Sequence, residues 1–198
     1  AQRLNKRAIC INNGIDIKKL AMETDGIKSK DIDYENIKIC TIGRIGYQKN
    51  PEMFNKIAEK FPDIQFTWIG EGNLKEQLIR PNITVTGWKE RKEVLQILNN
   101  SDIFVLTSLW EGLPLSLLEA MYMKKICIVS NCIGNRDVIK NEENGYISNN
   151  LEEFIETIKK VINNKEKNGI IVSNAYDDVV NNYNIEIMIE KYKQSYLK

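Results

Sequence analysis

The chain has 198 residues, enough to bury one substantial hydrophobic core. Its 28 basic and 27 acidic residues leave a net charge of +1, so no overall electrostatic field would attract nucleic acid or an anionic membrane. Histidine is absent, which removes the usual general base and the commonest metal ligand.

The cysteines and the hydropathy pattern predict a cytoplasmic protein. No two of the four cysteines form a CxxC pair, and two of them lie in apolar runs, which favours reduced, buried thiols over a disulfide or a metal site. No apolar run approaches the roughly 20 residues of a membrane span, and residues 1–7 lack the apolar core of a signal peptide. The cysteines are Cys10, Cys40, Cys127 and Cys132.

Residues 1–35 are predicted to form a linker and a first strand region. They contain the apolar run Ala8–Ile11, the turn Asn13-Gly14 and a polar stretch, residues 22–36, that is typical of a loop. From residue 36 onward short β-rich runs begin to alternate with helical patterns. The predicted strands are Ile37–Ile42, Ile64–Ile69, Ile83–Thr86, Ile103–Leu106, Ile126–Val129 and, more weakly, Tyr146–Ile147.

Helical patterns occupy the segments between these strands. Strand–helix alternation with glycine at the junctions predicts right-handed βαβ units and a parallel sheet covered on both faces. Residues 36–180 are therefore predicted to be a Rossmann-like, doubly wound α/β domain whose ligand lies at the carboxyl ends of the strands. The predicted helices are Pro51–Lys60, Leu74–Ile79, Arg91–Asn99, Leu113–Met123 and Leu151–Asn163.

Residues 181–198 are predicted to form a terminal helix that bridges to another part of the molecule. Apolar side chains recur there at helical spacing and need a surface on which to pack. They are Ile185, Met188, Ile189, Tyr192 and Tyr196.

The stretch EGLPLSLLE, residues 111–119, follows the predicted strand Ile103–Leu106. Pro114 suits the first turn of a helix, because the missing N–H is no loss there. The helix is then expected to leave the backbone amides of residues 115–117 unpaired at its positive end, which favours an anion. Glu111 would stand just before that helix, at the mouth of the crevice.

Two interpretations of Glu119 are open from spacing. Glu119 shares a helix face with Ser116, Ala120 and Met123, which does not resemble a solvated charged stripe. Alternatively, Glu111 is an ordinary loop charge and Glu119 pairs with Lys124 or Lys125.

The stretch TIGRIGYQKN, residues 41–50, follows the first strand of the domain. Its two glycines, Gly43 and Gly46, permit tight backbone geometry, and Arg44 and Lys49 bring two cations that suit a diphosphate. The Asn-Pro pair that follows would start the next helix. A solvated surface loop is the alternative, and the glycines of WIGEGN, residues 68–73, are also compatible with an ordinary turn. Neither a P-loop lysine motif nor a full GxGxxG occurs.

The order of these segments resembles the C-terminal, donor-binding half of retaining GT-B glycosyltransferases of family 4, the group 1 type. The resemblance covers essentially the whole chain, and Glu111 and Glu119 match the E-x7-E pair of that family. The matching segments are INNGID at 11–16, IGRIGYQKN at 42–50, IGEG at 69–72, VTGW at 85–88, SDIFVLTSLWEGLPLSLLEAM at 101–121, and GNRDVI through ENGYI at 134–147.

The resemblance implies a role for each matching position. Arg44 and Lys49 would hold the donor diphosphate and stabilise the leaving nucleotide, and Glu111 would face the transferred sugar, so these three are the predicted catalytic residues. Glu119 would accept hydrogen bonds from the ribose hydroxyls, and Trp88 and Lys89 would line the base pocket. The predicted donor-binding residues are Gly43, Arg44, Lys49, Gly70, Gly72, Trp88, Lys89, Glu111, Gly112, Leu115, Ser116, Leu117 and Glu119.

The resemblance also implies the reaction. A hexosyl group would pass from a UDP- or GDP-sugar to a glycan or lipid-linked acceptor in bacterial surface polysaccharide synthesis, without a metal or other cofactor. After EAM the family usually has the pattern small-small-Gly-x-Pro-Val, which residues 122–127 replace here. The family's Gly-Gly pair is replaced by Ile133-Gly134, and both changes alter the expected sugar pocket. No acceptor domain is matched, so the chain is expected to be a C-terminal half that is inactive alone and meets any membrane through the other half.

Two other functions fit parts of the sequence. A sugar-nucleotide epimerase of the GT-B fold would bind the same kind of nucleotide, but such enzymes generally use a catalytic histidine. A non-catalytic, doubly wound module could dock a partner through the stripe of the terminal helix, and it predicts no nucleotide affinity. A nucleotide-binding measurement therefore separates the two enzyme hypotheses from the binding module.

Overall fold

The computed structural model, which describes residues 11–28 and 30–197, is built around a six-stranded sheet. All neighbouring strands pair in parallel, in the order β3-β2-β1-β4-β5-β6. This confirms the predicted α/β, Rossmann-like doubly wound fold. The strands are β1 (Lys38–Ile42), β2 (Gln65–Ile69), β3 (Ile83–Val85), β4 (Ile103–Leu106), β5 (Ile126–Ser130) and β6 (Tyr146–Ser148).

Helices cover both faces of this sheet. They are α1 (Ile17–Glu23), α2 (Pro51–Glu59), α3 (Arg91–Asn99), α4 (Leu115–Tyr122), α5 (Asn135–Val138), α6 (Leu151–Asn163), α7 (Lys165–Asn182) and α8 (Ile185–Tyr196), with short 3-10 turns at Tyr47–Lys49 and Lys75–Gln77.

The strand order reverses between β1 and β4. From β1 the chain proceeds outward through β2 and β3, then returns to place β4 on the other side of β1. The loops that follow β1 and β4 therefore leave the sheet at this reversal, at the carboxyl ends of the strands. Ligands of doubly wound folds bind at this switch point.

The two faces of the sheet carry two hydrophobic layers. On β1, Ile39 packs on the layer of α2 and α6, whereas Cys40 packs on the layer of α3 and α4. Each of the four residues of β4 is buried, because helices cover both sides of that central strand. The two layers hold the strands, and hence the loops at their carboxyl ends, in fixed positions.

Three of the predicted buried thiols, Cys40, Cys127 and Cys132, are free and buried, as expected. Burial raises the pKa of the Cys40 thiol to about 12, so it stays protonated at neutral pH. Residues 8–10, which are the first three of the run Ala8–Ile11 and include Cys10, lie outside the described residues.

One predicted helix near the chain's middle is wrong, and one helix near its start was not predicted. Leu74–Ile79 is not a helix but the single 3-10 turn Lys75–Gln77. The Asn55 side chain accepts hydrogen bonds from the amides of Ile79 and Arg80, which ends the turn before Pro81. Helix α1, whose amide at Lys19 is capped by Asp16, was not predicted, and it overlaps only the first two residues of the predicted loop, 22–36.

Helix α7 was not predicted. Its sequence is largely polar and contains several asparagines, so its apolar stripe is narrow. The stripe includes Ile171, Ala175 and Val179, all buried against the sheet or α4. The helix runs to Asn182 and so crosses the predicted boundary at residue 180.

The predicted terminal helix is present as α8, and part of its apolar stripe is exposed, whereas Ile185 and Met188 are half-buried. Ile189 and Tyr192 are 44% and 43% exposed, and Tyr196 is 85% exposed. The helix starts beside Ile15, whose backbone exchanges hydrogen bonds with Tyr183 and Ile185. Across the described parts of the chain, every helix is too short or too polar to span a membrane.

Candidate functional site

The loops after β1 and β4 are held side by side at the switch point. The amide of Leu109 donates to the carbonyl of Gln48 at 2.8 Å, and the Gln48 side chain donates to the carbonyl of Trp110 at 2.9 Å. The Thr107 hydroxyl donates to the carbonyl of Lys49, also at 2.8 Å. These bonds fix the position of Lys49 relative to the loop that carries Glu111.

Lys49 and Glu111, predicted to act together, form an ion pair. Lys49 Nζ lies 2.6 Å from Glu111 Oε1, and the two side chains are only 16% and 8% exposed. The low exposure contradicts the alternative that Glu111 is a solvated loop charge. An ion pair so poorly hydrated interacts more strongly than one in open water.

The loop after β5 contacts the backbone at Glu111 and Gly112. The amide of Glu111 donates to the carbonyl of Ile133 at 3.2 Å. Gly134 has φ +90°, and a Cβ there would lie 2.6 Å from the carbonyl oxygen of Gly112. Only glycine fits this position, so the glycine that remains of the family's Gly-Gly pair has a packing reason.

A groove of about 820 Å³ lies beside Arg44, where the loops after β1, β2 and β3 meet. Arg44 is exposed and has no ion-pair or hydrogen-bond partner in the described part of the chain. Trp88 is 67% exposed, and Lys89 pairs with Glu93 at 2.9 Å. The predicted donor-binding residues that line this groove are Gly43, Arg44, Gly70, Gly72, Trp88 and Lys89.

The glycines of the first two loops permit an unusually close approach of backbone to backbone. Gly43 and Gly70 have φ +150° and +142°, and a Cβ on Gly70 would lie 2.2 Å from the carbonyl oxygen of Gly43. A Cβ on Gly72 would lie 2.1 Å from the carbonyl oxygen of Ile45. The Trp68 indole N–H donates to that same Gly43 carbonyl at 2.8 Å. These contacts contradict the alternative that Gly70 and Gly72 belong to an ordinary turn.

Glu119 lies in a second cavity, of about 480 Å³, together with Leu115. Its partner is Arg91, whose Nη1 lies 2.8 Å from Glu119 Oε1, so the pairing with Lys124 or Lys125 is wrong. Lys125 is instead buried and donates to the carbonyl of Asn99. Burial raises the pKa of the Glu119 carboxyl, and the nearby Arg91 guanidinium opposes part of that rise.

The start of α4 offers fewer free amides than expected. The amide of Leu117 donates to the carbonyl of Pro114 at 3.0 Å, and the Leu117 side chain is fully buried, so the expectation of a free amide there is wrong. The amides of Leu115 and Ser116 have no acceptor among the described residues. Gly112 is exposed, with open space around it.

Sequence reasoning missed Arg91, which pairs with Glu119, and Glu23, which pairs with Arg91 from another helix. Arg91 stands in a run of charged residues with no motif, so no local signal identifies it. Among the described residues, no three histidine, cysteine, aspartate or glutamate side chains cluster closely enough to hold a metal ion.

Residues 23–178 match the family model described as group 1 glycosyl transferases. The chain belongs to the group 1 glycosyltransferase family. It is 33% identical over 208 residues to the UDP-Gal:α-D-GlcNAc-diphosphoundecaprenol α-1,3-galactosyltransferase of Escherichia coli. That alignment covers 94% of this chain and 53% of the relative, so the chain spans about half of the relative's length.

Solved structures of GT-B glycosyltransferases share the fold. The Anabaena HepE protein, solved with UDP and glucose, superimposes with a TM-score of 0.76 at 15% identity, over 95% of this chain and 56% of that one. The C-terminal domain of a group 1 glycosyl transferase from Francisella tularensis superimposes with a TM-score of 0.67 at 23% identity. The second match covers 90% of this chain and 100% of that domain.

Proposed function

We propose that this chain is the donor-binding half of a retaining, family 4 glycosyltransferase that transfers a hexosyl group from a nucleotide-sugar. The observation that carries the proposal is the poorly hydrated Lys49–Glu111 pair at the switch point of a group 1 family member. A cation and a carboxylate fixed there suit a donor that has a charged diphosphate next to a polyhydroxylated sugar.

The diphosphate would lie between Arg44, Lys49 and the start of α4. Departure of the nucleoside diphosphate places negative charge on phosphate oxygens, and prepositioned cations and backbone amides stabilise that charge. Arg44 is exposed and unpaired within the described residues, so binding a phosphate would not require it to leave another partner. Leu115 and Ser116 would donate their backbone amides to the distal phosphate.

The nucleoside would occupy the groove beside Trp88 and Lys89, with its ribose on Glu119. The E. coli relative is named for a UDP-sugar, which favours UDP over GDP as the carrier. Glu111 would face the transferred sugar. It would accept hydrogen bonds from the sugar hydroxyls once Lys49 also contacts the diphosphate and so binds Glu111 less strongly.

The acceptor is proposed to be a glycan or a lipid-linked sugar, in bacterial surface polysaccharide synthesis. The E. coli relative is named for a sugar linked to diphosphoundecaprenol. The groups that bind the acceptor would belong to the half of such relatives that this chain does not span, so this chain alone is proposed to bind the donor without transferring it. Water exclusion and positioning both require the second half.

Replacing Arg44 with alanine is expected to weaken UDP binding about 10- to 100-fold, the loss typical of hydrogen bonds to a charged group. Affinity for uridine should stay the same, because uridine has no phosphate for Arg44 to contact. Calorimetric titration of both ligands measures this. Arg136→Ala, another exposed arginine, is the matched control. Equal losses for uridine and UDP would contradict the phosphate assignment.

Chelation by EDTA is expected to leave UDP affinity unchanged, since arginine, lysine and backbone amides supply the positive charge. The measurement is a titration of UDP with EDTA and, in parallel, with added Mg²⁺ or Mn²⁺. An affinity that required either divalent ion would refute the metal-independent site.

One observation favours the non-catalytic alternative. The exposed apolar side chains of α8, among them Ile189 and Tyr192, could dock a partner protein. A pure docking module predicts no affinity for UDP or GDP, so the same titrations decide between the two functions.

A further inference from the structure

Arg91, the first residue of α3, connects that helix to α1 and α4. Its Nη1 lies 2.8 Å from Glu119 Oε1 on α4, and its Nε lies 3.0 Å from Glu23 Oε2 on α1. The Arg91 side chain is 42% exposed, whereas Glu119 and Glu23 are 15% and 24% exposed. Two of the three guanidinium nitrogens thus have separate carboxylate partners, which determines the direction of the guanidinium plane.

We propose that Arg91 is a positioning residue for the carboxylate of Glu119, and that Glu23 holds Arg91 in place. The inference rests on the proposed function, in which Glu119 binds ribose. Oε1 of Glu119 is occupied by Arg91, whereas Oε2 has no hydrogen-bond donor in the described part of the chain. One oxygen is therefore anchored and the other is left to accept from a ribose hydroxyl.

The charges around Glu119 explain why an anchor is needed. Burial raises the pKa of this carboxyl, Glu23 raises it further, and Arg91 lowers it. The other charged residues of the same cavity are Asp16 and Lys19, and Lys19 lies 3.9 Å from Glu23. Arg91 is therefore the cation that favours the ionised form of Glu119, and an ionised carboxylate accepts a hydrogen bond from a ribose hydroxyl more strongly than a protonated one.

Loss of Arg91 should make ribose recognition depend on pH. Without the guanidinium, the Glu119 carboxyl protonates at a higher pH, so the ribose-dependent part of the affinity disappears as pH falls through that raised pKa. At alkaline pH the carboxylate is ionised with or without Arg91, and part of the affinity returns. A role in fold stability alone would not produce this dependence.

The test compares UDP with 2′,3′-dideoxy-UDP in calorimetric titrations over a series of pH values from acidic to alkaline. GDP and its dideoxy analogue replace them if wild type binds GDP more tightly. Arg91→Gln is expected to lose about tenfold in UDP affinity near neutral pH and to leave the dideoxy analogue unaffected. Arg91→Lys should recover part of the loss, and Glu23→Gln should lose about threefold with the same selectivity for ribose.

Arg80→Gln is the matched control. It breaks another arginine–glutamate pair, with Glu59 at 3.0 Å, at the amino end of β3 and away from the crevice. Control and wild type should show the same preference for ribose at every pH. UDP binding by wild type together with equal losses of UDP and dideoxy-UDP in Arg91→Gln would overturn the positioning role. A wild-type chain that binds neither UDP nor GDP would overturn the proposed function and this inference with it.

Discussion

Lys49→Met is expected to abolish measurable UDP binding and to lower the free energy of unfolding by about 3 kcal/mol, the lower end of the range for breaking a buried ion pair. The methionine keeps the length of the side chain but removes its charge. Glu111 is then left 8% exposed without its cation. A carboxylate that has lost both water and counterion is costly, and the empty cation position no longer attracts the diphosphate.

A second substitution separates the two effects. In Lys49→Met/Glu111→Gln the unpaired charge is removed, so most of the stability should return while UDP binding remains lost. Urea unfolding followed by circular dichroism measures the stability, and calorimetry measures the binding. With Glu111→Gln as the second single variant, the double-mutant cycle gives the coupling energy of the pair.

Lys56→Met is the matched control for stability. Lys56 pairs with Glu52 at 2.7 Å, nearly the same separation, but these side chains are 49% and 65% exposed. Loss of this ion pair should lower the free energy of unfolding by about 0.5 kcal/mol or less, since water already screens the two charges. If Lys56→Met and Lys49→Met destabilised the chain equally, burial of the Lys49–Glu111 pair would have no energetic consequence and the prediction would be wrong.

Gly70→Ala is expected to destabilise the protein by about 4 kcal/mol, as the sum of backbone strain and overpacking. The new Cβ would lie 2.2 Å from the carbonyl oxygen of Gly43, in a residue with φ +142°. To relieve the clash, the loops after β1 and β2 must separate and weaken the bond from Trp68 to Gly43. UDP affinity should fall as well, because the β1 loop carries Arg44 and Lys49.

Two other glycines divide this cost into its parts. Gly87→Ala places a Cβ in open space at φ +70°, so it should cost only the backbone strain, about 1 kcal/mol. In Gly112→Ala the new Cβ has no neighbour within 4 Å, and the backbone of Gly112 is not left-handed, so the stability of this variant should match that of wild type. Unfolding of the Gly70→Ala and Gly112→Ala variants at the same urea concentration would contradict the close packing of the two loops.

The parts of the fold that local patterns describe were predicted well. Strand β4, Ile103–Leu106, and helices α3 and α6 have the predicted bounds, because β-branched and aromatic residues favour a strand and a repeated 3.6-residue period favours a helix. Helix α7 was missed because its buried stripe is narrow and interrupted by polar residues. Leu74–Ile79 was too short a pattern to outweigh the capping bonds from Asn55.

The candidate site divides in the same way. The order of motifs along the chain determined the family, the crevice at the switch point and the residues Arg44, Lys49, Glu111 and Glu119, whose roles stay predictions. The crevice follows from the rule that parallel strands end at one edge of the sheet, whereas the choice of these residues follows from the resemblance of the motifs to those of the family.

Only the tertiary structure decided the partners of these residues. Closeness along the chain suggested Lys124 or Lys125 as the partner of Glu119, yet Arg91 and Glu23, from two other helices, form the network at that carboxylate. Likewise, the need for glycine at position 70 arises from the carbonyl of Gly43, which a neighbouring strand brings within 2.2 Å of the missing Cβ. Local periodicity describes neighbours along one helix or strand, whereas the contacts that orient this site are made across elements by the packing of the sheet and its helices.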